Sequence, residues 1–372
     1  MKAIIAAAGT AGHINPGIAI ANKIMQEEKN SEVIFIGTTR GLENDLVPRA
    51  GFELKTIDAY GLSKVISFDS MKKMFKTFKG IEEANSIIKE FKPDIVIGTG
   101  GYICGAVVLA AKKHNIPVVL HESNAFPGKA VKMLSKITDT VLVSFEDARD
   151  RLPKAKNVVY TGTPIKIEKK EYTIQEKDNI IKQMGLNRMK PIALIFGGSQ
   201  GAQKINEAIL QIIKEKLNNT YQIMWATGPK QYDIIKNELE SINININYIE
   251  NIKIVPYIYN MEEVMNVSDV IVARSGAMSI TEISNLGKPS ILIPLPNVSG
   301  DHQLYNAKVL ENVGAAKIIL NDKLTGNNLN DAINDIVTNK EKMKFMQEKA
   351  LTKAAYNVED KIYDEIKKLR GE

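Results

Sequence analysis

Short apolar segments rich in β-branched residues alternate along the whole chain with longer segments of mixed polarity. Runs of this kind are typical of strands buried on both faces, which belong to parallel sheets covered by helices. The predicted strands are Ala3–Ala8, Val33–Ile36, Ile95–Ile97, Val118–Leu120, Val141–Val143, Ile192–Phe196, Ile223–Trp225, Ile252–Val255, Val270–Ala273 and Ser290–Ile293. Two sheets of about five or six strands fit this number better than one very large sheet.

The two halves of the chain repeat one motif. Lys2 to Ala21 reads as a strand, a Gly-Thr-Ala-Gly turn and a helix, and Pro191 to Ile213 repeats that order. We therefore predict an α/β fold of two Rossmann-like domains with a ligand cleft between them. The expected domains are residues 1–163 and 164–354.

The chain ends in a charged amphipathic segment, expected to be helical over about 355–372. Ile362, Ile366 and Leu369 lie on one stripe of this helix. The pattern leaves open which of the two domains the helix packs against.

Composition narrows the class of protein. The 372 residues are 44% apolar and 25% charged, with a net charge of +6, which is ordinary for a globular protein and no argument for nucleic acid as a partner. Cys104 is the only cysteine, so an intrachain disulfide is excluded and a reducing compartment is expected. We find no apolar run of roughly 18 residues, the length of a membrane-spanning helix, and expect a soluble cytoplasmic protein.

Four glycine-containing turns each follow a predicted strand. They are residues 9–12, 98–101, 197–201 and 275–277. One such turn is often no more than a tight connection between a strand and a helix. Four of them at the carboxyl ends of parallel strands indicate a ligand site, because ligands of open α/β sheets bind there.

The most informative turn joins the strand Val270–Ala273 to a helix. The start of that helix offers free backbone N–H groups, which suit a phosphate. Glu282 follows about one turn later, where its carboxylate can accept two sugar hydroxyls. The combination favours a nucleotide-sugar, whereas the P-loop and a clean Gly-x-Gly-x-x-Gly fingerprint are both missing.

Polar residues near the turns supply candidate chemistry. His13 follows the first turn, where it could act as a general base or donate a hydrogen bond to a phosphate. A local contact with the backbone is the simpler interpretation. His121-Glu122-Ser123-Asn124 follows a strand, and Asp301-His302-Gln303 lies in a later loop; each suits a polar site or an ordinary turn. No metal-ligand spacing is evident, so we expect no metal and no other cofactor.

Residues 71–79 read Met-Lys-Lys-Met-Phe-Lys-Thr-Phe-Lys. On a helix this segment forms an apolar stripe surrounded by lysines, which resembles an interfacial segment that binds anionic lipid headgroups. A core-facing helix with a basic outer side is the alternative. The stripe residues are Met71, Met74, Phe75 and Phe78.

Together the motifs resemble the family of peptidoglycan glycosyltransferases that add N-acetylglucosamine from its UDP donor to lipid I, forming lipid II. Nearly the whole chain shares the resemblance, which is carried by residues 9–17, 98–102, 121–124, 197–202 and 274–282 in the family's order and spacing. It implies a GT-B fold, an inverting transfer without a covalent intermediate, and peripheral attachment to the cytoplasmic face of the cell membrane. The implied partners are UDP-N-acetylglucosamine, lipid I and an anionic membrane surface.

The resemblance also implies roles for individual residues. His13 is the implied base, and Tyr102, His121 and Glu122 would contact the acceptor. The implied donor-binding residues are Thr10, Ala11, Gly12, Asn124, Lys166, Ser199, Ile258, Ala277, Met278, Ser279, Ile280, Thr281, Glu282 and Gln303. By this resemblance Glu282 binds the ribose, Ile258 the uracil and Gln303 the sugar.

The chain departs from the family's pattern at three positions. Ala11 stands where many members have glycine, Ser123 where Gln is frequent, and Lys166 where arginine is usual. Lysine keeps the charge but loses the bidentate fork of arginine. The sequence leaves two alternatives open: a GT-B enzyme using another lipid or small-molecule acceptor, and a non-enzymatic protein of the same fold that binds nucleotide-sugars.

Overall fold

The computed structural model describes residues 1–59, 68–165, 167–198, 200–246 and 249–371, with all side chains in these ranges except those of residues 68–78 and 299. The chain divides into two compact units. The first comprises Met1–Ile165 and Ala355–Glu372, and the second comprises Lys166–Ala354. The point at which the chain passes from the first unit to the second lies two residues beyond the boundary expected from the sequence.

The first unit is built on a seven-stranded parallel sheet. Its strands are β1 (Lys2–Ala7), β2 (Glu32–Gly37), β3 (Glu53–Thr56), β4 (Ile95–Gly100), β5 (Val118–Glu122), β6 (Thr140–Val143) and β7 (Val158–Tyr160). The spatial order is β3-β2-β1-β4-β5-β6-β7, so the chain reverses direction across the sheet between β1 and β4. Its helices are α1 (Ala11–Glu27), α2 (Glu43–Arg49), α3 (Phe68–Phe91), α4 (Ile103–Lys113) and α5 (Lys129–Leu134).

The second unit holds a six-stranded parallel sheet in the order β10-β9-β8-β11-β12-β13. The strands are β8 (Ile192–Phe196), β9 (Gln222–Ala226), β10 (Ile252–Val255), β11 (Val270–Ala273), β12 (Ser290–Leu292) and β13 (Ala316–Ile318). The helices are α6 (Ile174–Gln183), α7 (Gln203–Lys214), α8 (Pro229–Glu240), α9 (Met261–Val267), α10 (Ala277–Leu286), α11 (His302–Glu311), α12 (Gly326–Val337) and α13 (Lys340–Leu351).

All ten predicted strands are present, with ends within two residues of the predicted ones except in β4, which runs three residues beyond Ile97. The pattern missed β3, β7 and β13, which have only three or four residues each and lie toward the edges of the sheets, where one flank is unpaired. The estimate of five or six strands is therefore wrong for the first sheet, which has seven.

The last helix, α14 (Val358–Arg370), packs on the first unit. Ile362 and Ile366 are fully buried in the core beneath α1, and Leu369 packs at its margin. The side chain of Glu28, just beyond α1, accepts hydrogen bonds from the Tyr363 hydroxyl at 3.0 Å and from Arg370 at 2.7 Å. The apolar stripe of α14 therefore packs against the first unit, which answers the question that the sequence left open. Among the described helices, none is long and apolar enough to cross a bilayer.

Candidate active site

The four glycine turns lie at the points where strand order reverses. In the first unit the turns after β1 and β4 flank the reversal between these neighbouring strands. In the second unit the turns after β8 and β11 do the same. Such a switch point opens a crevice at the carboxyl edge of a parallel sheet, so each unit presents its two turns where a ligand can enter.

The turn after β1 delivers unpaired amide groups. Gly9 has a φ of 96°, a conformation that favours glycine, and Thr10 ends the turn in extended geometry as the N-cap of α1. The first turn of α1 has no acidic residue and no side-chain cap from Thr10. The N–H groups at Ala11 and Gly12 are therefore available to an anionic ligand.

His13 is held with one ring nitrogen toward the backbone. Its Nδ1 lies 3.1 Å from the Ala8 carbonyl oxygen, which can only accept, so Nδ1 carries the proton and Nε2 is left as the basic nitrogen. The Thr99 hydroxyl donates to the His13 carbonyl oxygen at 2.8 Å. A Cβ on Gly100 would lie 2.3 Å from His13 Cδ2, so this position must be glycine for the ring to lie there.

Glu122 is buried and organises its own loop. One carboxylate oxygen accepts from the backbone N–H and the side-chain amide of Asn124, and the other accepts from the Gly128 N–H at 2.8 Å. Burial raises the pKa of this carboxyl group above its ordinary value, against the opposing effects of these hydrogen bonds and of nearby His13. Glu122 therefore supports the loop, while Asn124 lies partly exposed on it.

His121 lies in the interior of the first unit, where its side chain is 1% exposed. Its Nε2 lies 3.1 Å from the Gly162 carbonyl oxygen, and the Ser123 and Ser144 hydroxyls are each 3.4 Å from a ring nitrogen. Burial lowers the pKa of His121 to about 4. The neutral ring thus joins β5 to the segment that leaves the first unit, and its placement does not favour the contact with the acceptor predicted from the sequence.

We expect His121 to make the protein sensitive to acid. The pKa of His121 is lower in the folded chain than its ordinary value of 6.5. As the pH falls from about 6.5 to 4, the unfolded chain therefore binds a proton at this residue while the folded chain stays neutral there. This single titration removes about 3 kcal/mol of unfolding free energy. Urea unfolding at pH 7 and pH 4 should show a steeper loss for the wild type than for His121→Gln, whose amide can still donate to Gly162. Equal losses in the two proteins would contradict this assignment.

Tyr102 follows the turn after β4 and is the N-cap residue of α4, with 39% of its surface exposed. Gly101 in that turn has a φ of 88°, and a Cβ there would lie 2.7 Å from the Ala8 carbonyl oxygen. The turns after β1 and β4 are thus packed directly against each other. Among the predicted acceptor residues, Tyr102 offers a side chain that a ligand can reach.

The helix α10 begins with the same kind of open end as α1. Gly276 is its N-cap residue, and the first turn has no acidic residue and no side-chain cap. Ala277, Met278 and Ser279 are partly exposed, whereas Ile280 is buried and the Thr281 hydroxyl donates to the Ala277 carbonyl oxygen at 3.0 Å. This end of α10 therefore offers backbone amides to an anion, while the side chains of Ile280 and Thr281 belong to the protein interior.

Glu282 lies on the same helix and is partly buried. Burial raises the pKa of its carboxyl group to about 7. A carboxylate in this condition has lost much of its hydration, so hydroxyl groups of a ligand would supply hydrogen bonds in place of those that burial has removed.

The loop after β12 is braced from two sides. Arg274 Nη1 donates to the Ile293 carbonyl oxygen at 3.1 Å and to Asn321 Oδ1 at 2.8 Å. Gln303 Oε1 accepts from the Leu295 N–H at 2.9 Å. The role of Arg274 is not visible in the sequence, because nothing in the local pattern shows that its side chain reaches the segment after the neighbouring strand.

Ile258 is 3% exposed, so its side chain packs inside the second unit. Its neighbours Tyr257 and Tyr259 are exposed, with ring centroids 5.0 Å apart. Any contact of Ile258 with a ligand would therefore use its backbone.

Several predicted residues lie outside the described residues. These are Lys166, Ser199 and the side chains of Met71, Met74, Phe75 and Phe78. The backbone at positions 71–78 belongs to α3, as the apolar stripe requires. The described residues contain no group of three or more His, Cys, Asp or Glu side chains able to hold a metal ion; that the protein uses no metal stays a prediction.

Two family models match the chain. The glycosyltransferase family 28 N-terminal domain matches residues 3–143, and the glycosyltransferase family 28 C-terminal domain matches residues 192–362. The first match lies within the first unit, and the second covers most of the second unit and continues into the C-terminal segment that belongs to the first.

Similar proteins extend over the full length. The UDP-N-acetylglucosamine–N-acetylmuramyl-(pentapeptide) pyrophosphoryl-undecaprenol N-acetylglucosamine transferase of Thermoanaerobacter sp. (strain X514) is 42% identical over 369 residues, covering 99% of this chain and all of the relative. The enzyme of the same name from Clostridioides difficile (strain 630) is 41% identical, covering 99% of this chain and 89% of the relative.

Solved structures agree with this relationship. The crystal structure of Acinetobacter baumannii MurG is 29% identical and superposes with a TM-score of 0.78, covering 99% of both chains. A UDP-glucose:anthocyanidin 3-O-glucosyltransferase in complex with UDP has a TM-score of 0.69 at 14% identity, covering all of this chain and 98% of that one, and shares the fold alone. The predicted fold class is confirmed: the chain belongs to glycosyltransferase family 28 and is a glycosyltransferase built of two Rossmann-like domains.

Proposed function

We propose that this protein transfers N-acetylglucosamine from UDP-N-acetylglucosamine to the muramyl sugar of lipid I, giving lipid II for peptidoglycan synthesis. The observation that carries the proposal is the 42% identity, over essentially the full length of both chains, to a transferase of that name. The open helix starts at both switch points and the orientation of His13 support it.

In the proposed reaction the second unit binds the donor. The amides at the start of α10 hold the diphosphate, and the Glu282 carboxylate accepts hydrogen bonds from the ribose hydroxyls. The backbone at Ile258 faces the uracil, and Gln303 binds the sugar through the part of its amide that is not bonded to Leu295. The donor contacts of Ser199, Lys166, Thr10, Ala11, Gly12 and Asn124 stay predictions.

The proposed chemistry is a single displacement with inversion. The acceptor hydroxyl oxygen forms a bond to the anomeric carbon while the bond from that carbon to the β-phosphate oxygen breaks, and the electron pair leaves with UDP. The hydroxyl proton passes to Nε2 of His13. The α10 amides donate hydrogen bonds to the departing diphosphate and stabilise the negative charge that develops on it, as a metal ion does in other transferases.

Burial changes two of the acceptor assignments. His121 and Glu122 are bonded inside the first unit, so we propose that they support the loop at residues 122–128 and that Tyr102 and His13 face the acceptor. Tyr102 is exposed beside the turn after β4, in a position to donate to a diphosphate or sugar oxygen.

A panel of donors and acceptors tests the proposal. Purified protein is incubated with several UDP-sugars and either a short-chain lipid I analogue or a diacylglycerol, with and without a chelator. We expect transfer from UDP-N-acetylglucosamine to the lipid I analogue. Preferred transfer to the diacylglycerol would favour the alternative acceptor class, and no transfer to any acceptor would favour a protein that only binds nucleotide-sugars.

We further propose that the first unit attaches to the cytoplasmic face of the membrane through α3 and its neighbours. Helix α4 packs against both α3 and α5. Near the end of α5, Met133 is 60% exposed, and Ile137, just beyond the helix, is 36% exposed; the exposed Lys129 and Lys136 lie on the same segment. Apolar side chains ringed by lysines suit an anionic lipid surface, where each lysine contributes about 1 kcal/mol.

Vesicle binding tests this attachment. Phe75→Glu should weaken binding to vesicles of phosphatidylglycerol and phosphatidylcholine about tenfold, because an apolar side chain is lost from the stripe and a negative charge is added. The matched control is Met189→Glu, at an exposed position of the second unit. Co-sedimentation measures both variants, and equal binding by the two would contradict the proposed surface.

A further inference from the structure

Glu43 is a buried carboxylate next to the first glycine turn, and the proposed chemistry does not use it. It is the first residue of α2 and is 0% exposed. Oε2 accepts from the Gly9 N–H at 2.9 Å, and Oε1 accepts from the Thr38 N–H at 2.9 Å and the Thr38 hydroxyl at 2.7 Å. Space is reserved for this side chain, since a Cβ on Gly41 would lie 1.9 Å from Oε2 and one on Gly37 would lie 2.7 Å from Cγ.

The carboxylate is ionised in the folded protein. Burial on its own raises the pKa of Glu43, but the hydrogen bonds from Gly9 and Thr38 outweigh it and hold the pKa below its ordinary value. Hydrogen bonds to a charged acceptor are among the stronger ones, so the Gly9 N–H is firmly oriented.

The peptide bond between Ala8 and Gly9 connects Glu43 to His13. The N–H of this peptide points to Glu43 Oε2, and its carbonyl oxygen accepts from His13 Nδ1 at 3.1 Å. Because the peptide group is planar, its N–H and C=O are fixed in orientation relative to each other. Any rotation that breaks the bond to Glu43 also turns the Ala8 carbonyl away from the His13 ring.

We propose that Glu43 is a positioning residue that holds His13 as the Nδ1–H tautomer through the Ala8–Gly9 peptide. The relay resembles the carboxylate that orients a catalytic histidine, with a peptide group inserted between the two side chains. The tautomer matters because Nε2 is then the basic nitrogen offered to the acceptor hydroxyl. This catalytic consequence rests on the proposed function, whereas the tautomer itself does not.

The test compares Glu43→Gln with Asp139→Asn. Glutamine has the shape of glutamate, but its amide NH₂ cannot accept from Gly9 while its oxygen accepts from Thr38. Asp139 is the matched control: its carboxylate also accepts a backbone N–H, that of Val118 at 2.9 Å, but it lies just before β6, at the amino-terminal ends of the strands, whereas Gly9 follows the carboxyl end of β1.

Two readouts are measured for each protein: the ¹⁵N chemical shifts of the histidine rings, and the kcat and KM for transfer. We expect His13 to be the Nδ1–H tautomer in the wild type and in Asp139→Asn, and a mixture of tautomers in Glu43→Gln. We expect kcat to fall about tenfold in Glu43→Gln with the KM for UDP-N-acetylglucosamine within about twofold, since only the presentation of the base is disturbed.

An unchanged His13 tautomer in Glu43→Gln would overturn the proposal, whatever happens to kcat. So would a kcat loss equal to that of Asp139→Asn. If the wild type transfers no sugar at all, the proposed function fails, and the ring shifts alone still decide the role of Glu43. If Glu43→Gln does not fold, Glu43→Asp is measured in the same way. Its side chain is shorter by about 1.5 Å, so this variant should also lose the single tautomer of His13.

Discussion

Replacing His13 by alanine is expected to lower turnover by about 10²- to 10⁴-fold, the range that a positioned general base contributes. The expectation follows from the ring geometry, in which Nδ1–H donates to the Ala8 carbonyl oxygen and Nε2 is left as the basic nitrogen. The affinity for UDP should be unchanged, since the proposed donor contacts of α10 lie in the other unit. Steady-state kinetics on a lipid I analogue and calorimetry with UDP measure the two effects.

His114→Ala is the control for this substitution. His114 is also a partly buried histidine of the first unit, but it lies at the end of α4 with Nε2 2.6 Å from Asn85 Oδ1. Its replacement should leave turnover within about threefold of the wild type, as expected for a change away from the chemistry. A loss below tenfold for His13→Ala, with UDP binding intact, would mean that another group accepts the proton.

Replacing Glu282 by glutamine should weaken UDP binding by about 10- to 100-fold, because hydrogen bonds to a charged acceptor contribute about 1.5–3 kcal/mol. The carboxylate is the form that accepts both ribose hydroxyls, and the pKa of Glu282 in the free protein is raised to about 7. The wild type should therefore bind UDP more tightly as the pH rises, by about tenfold between pH 6 and pH 8. Calorimetry at both values measures the change.

The glutamine variant is the control for the pH dependence of the wild type. It cannot ionise at position 282, so its affinity should vary between pH 6 and pH 8 only as far as the phosphates of UDP titrate. The sign for stability is opposite to that for binding: the raised pKa means that the folded protein favours the protonated acid, and stability falls as the pH rises from 4.5 through 7. Wild-type affinity that does not change between pH 6 and pH 8 would exclude the ribose role of Glu282.

The sequence predicts those elements of the fold that can be identified from their own residues alone. Buried parallel strands such as Val270–Ala273 are continuous apolar runs, so they stand out from the helices without knowledge of their neighbours. The short edge strand β3 reads Glu-Leu-Lys-Thr, which has no such run, and it is held by pairing with β2. Pairing at the edge of a sheet depends on residues that are distant in the sequence, so no short segment of the sequence reveals it.

The site shows the same division. Glycine turns at strand ends are visible in the sequence because they combine a composition with a position, as at Gly9 and Gly276. The direction of a side chain is not visible: His121 belongs to a polar cluster that suggests a ligand, yet it points into the interior and bonds to Gly162. Glu43 appears in the sequence as an ordinary acid at a helix start, and only the fold places it against Gly9, 34 residues earlier.

The most direct test of the proposed activity is the anomeric configuration of the bond formed on a lipid I analogue. The sugar is α-linked in the UDP donor, so one displacement assisted by His13 predicts a β-linked N-acetylglucosamine on the muramyl sugar and one UDP released per product. The coupling constant of the anomeric proton in the NMR spectrum of the product reports this configuration. An α linkage, or UDP released without a glycosylated acceptor, would contradict a single inverting transfer to lipid I.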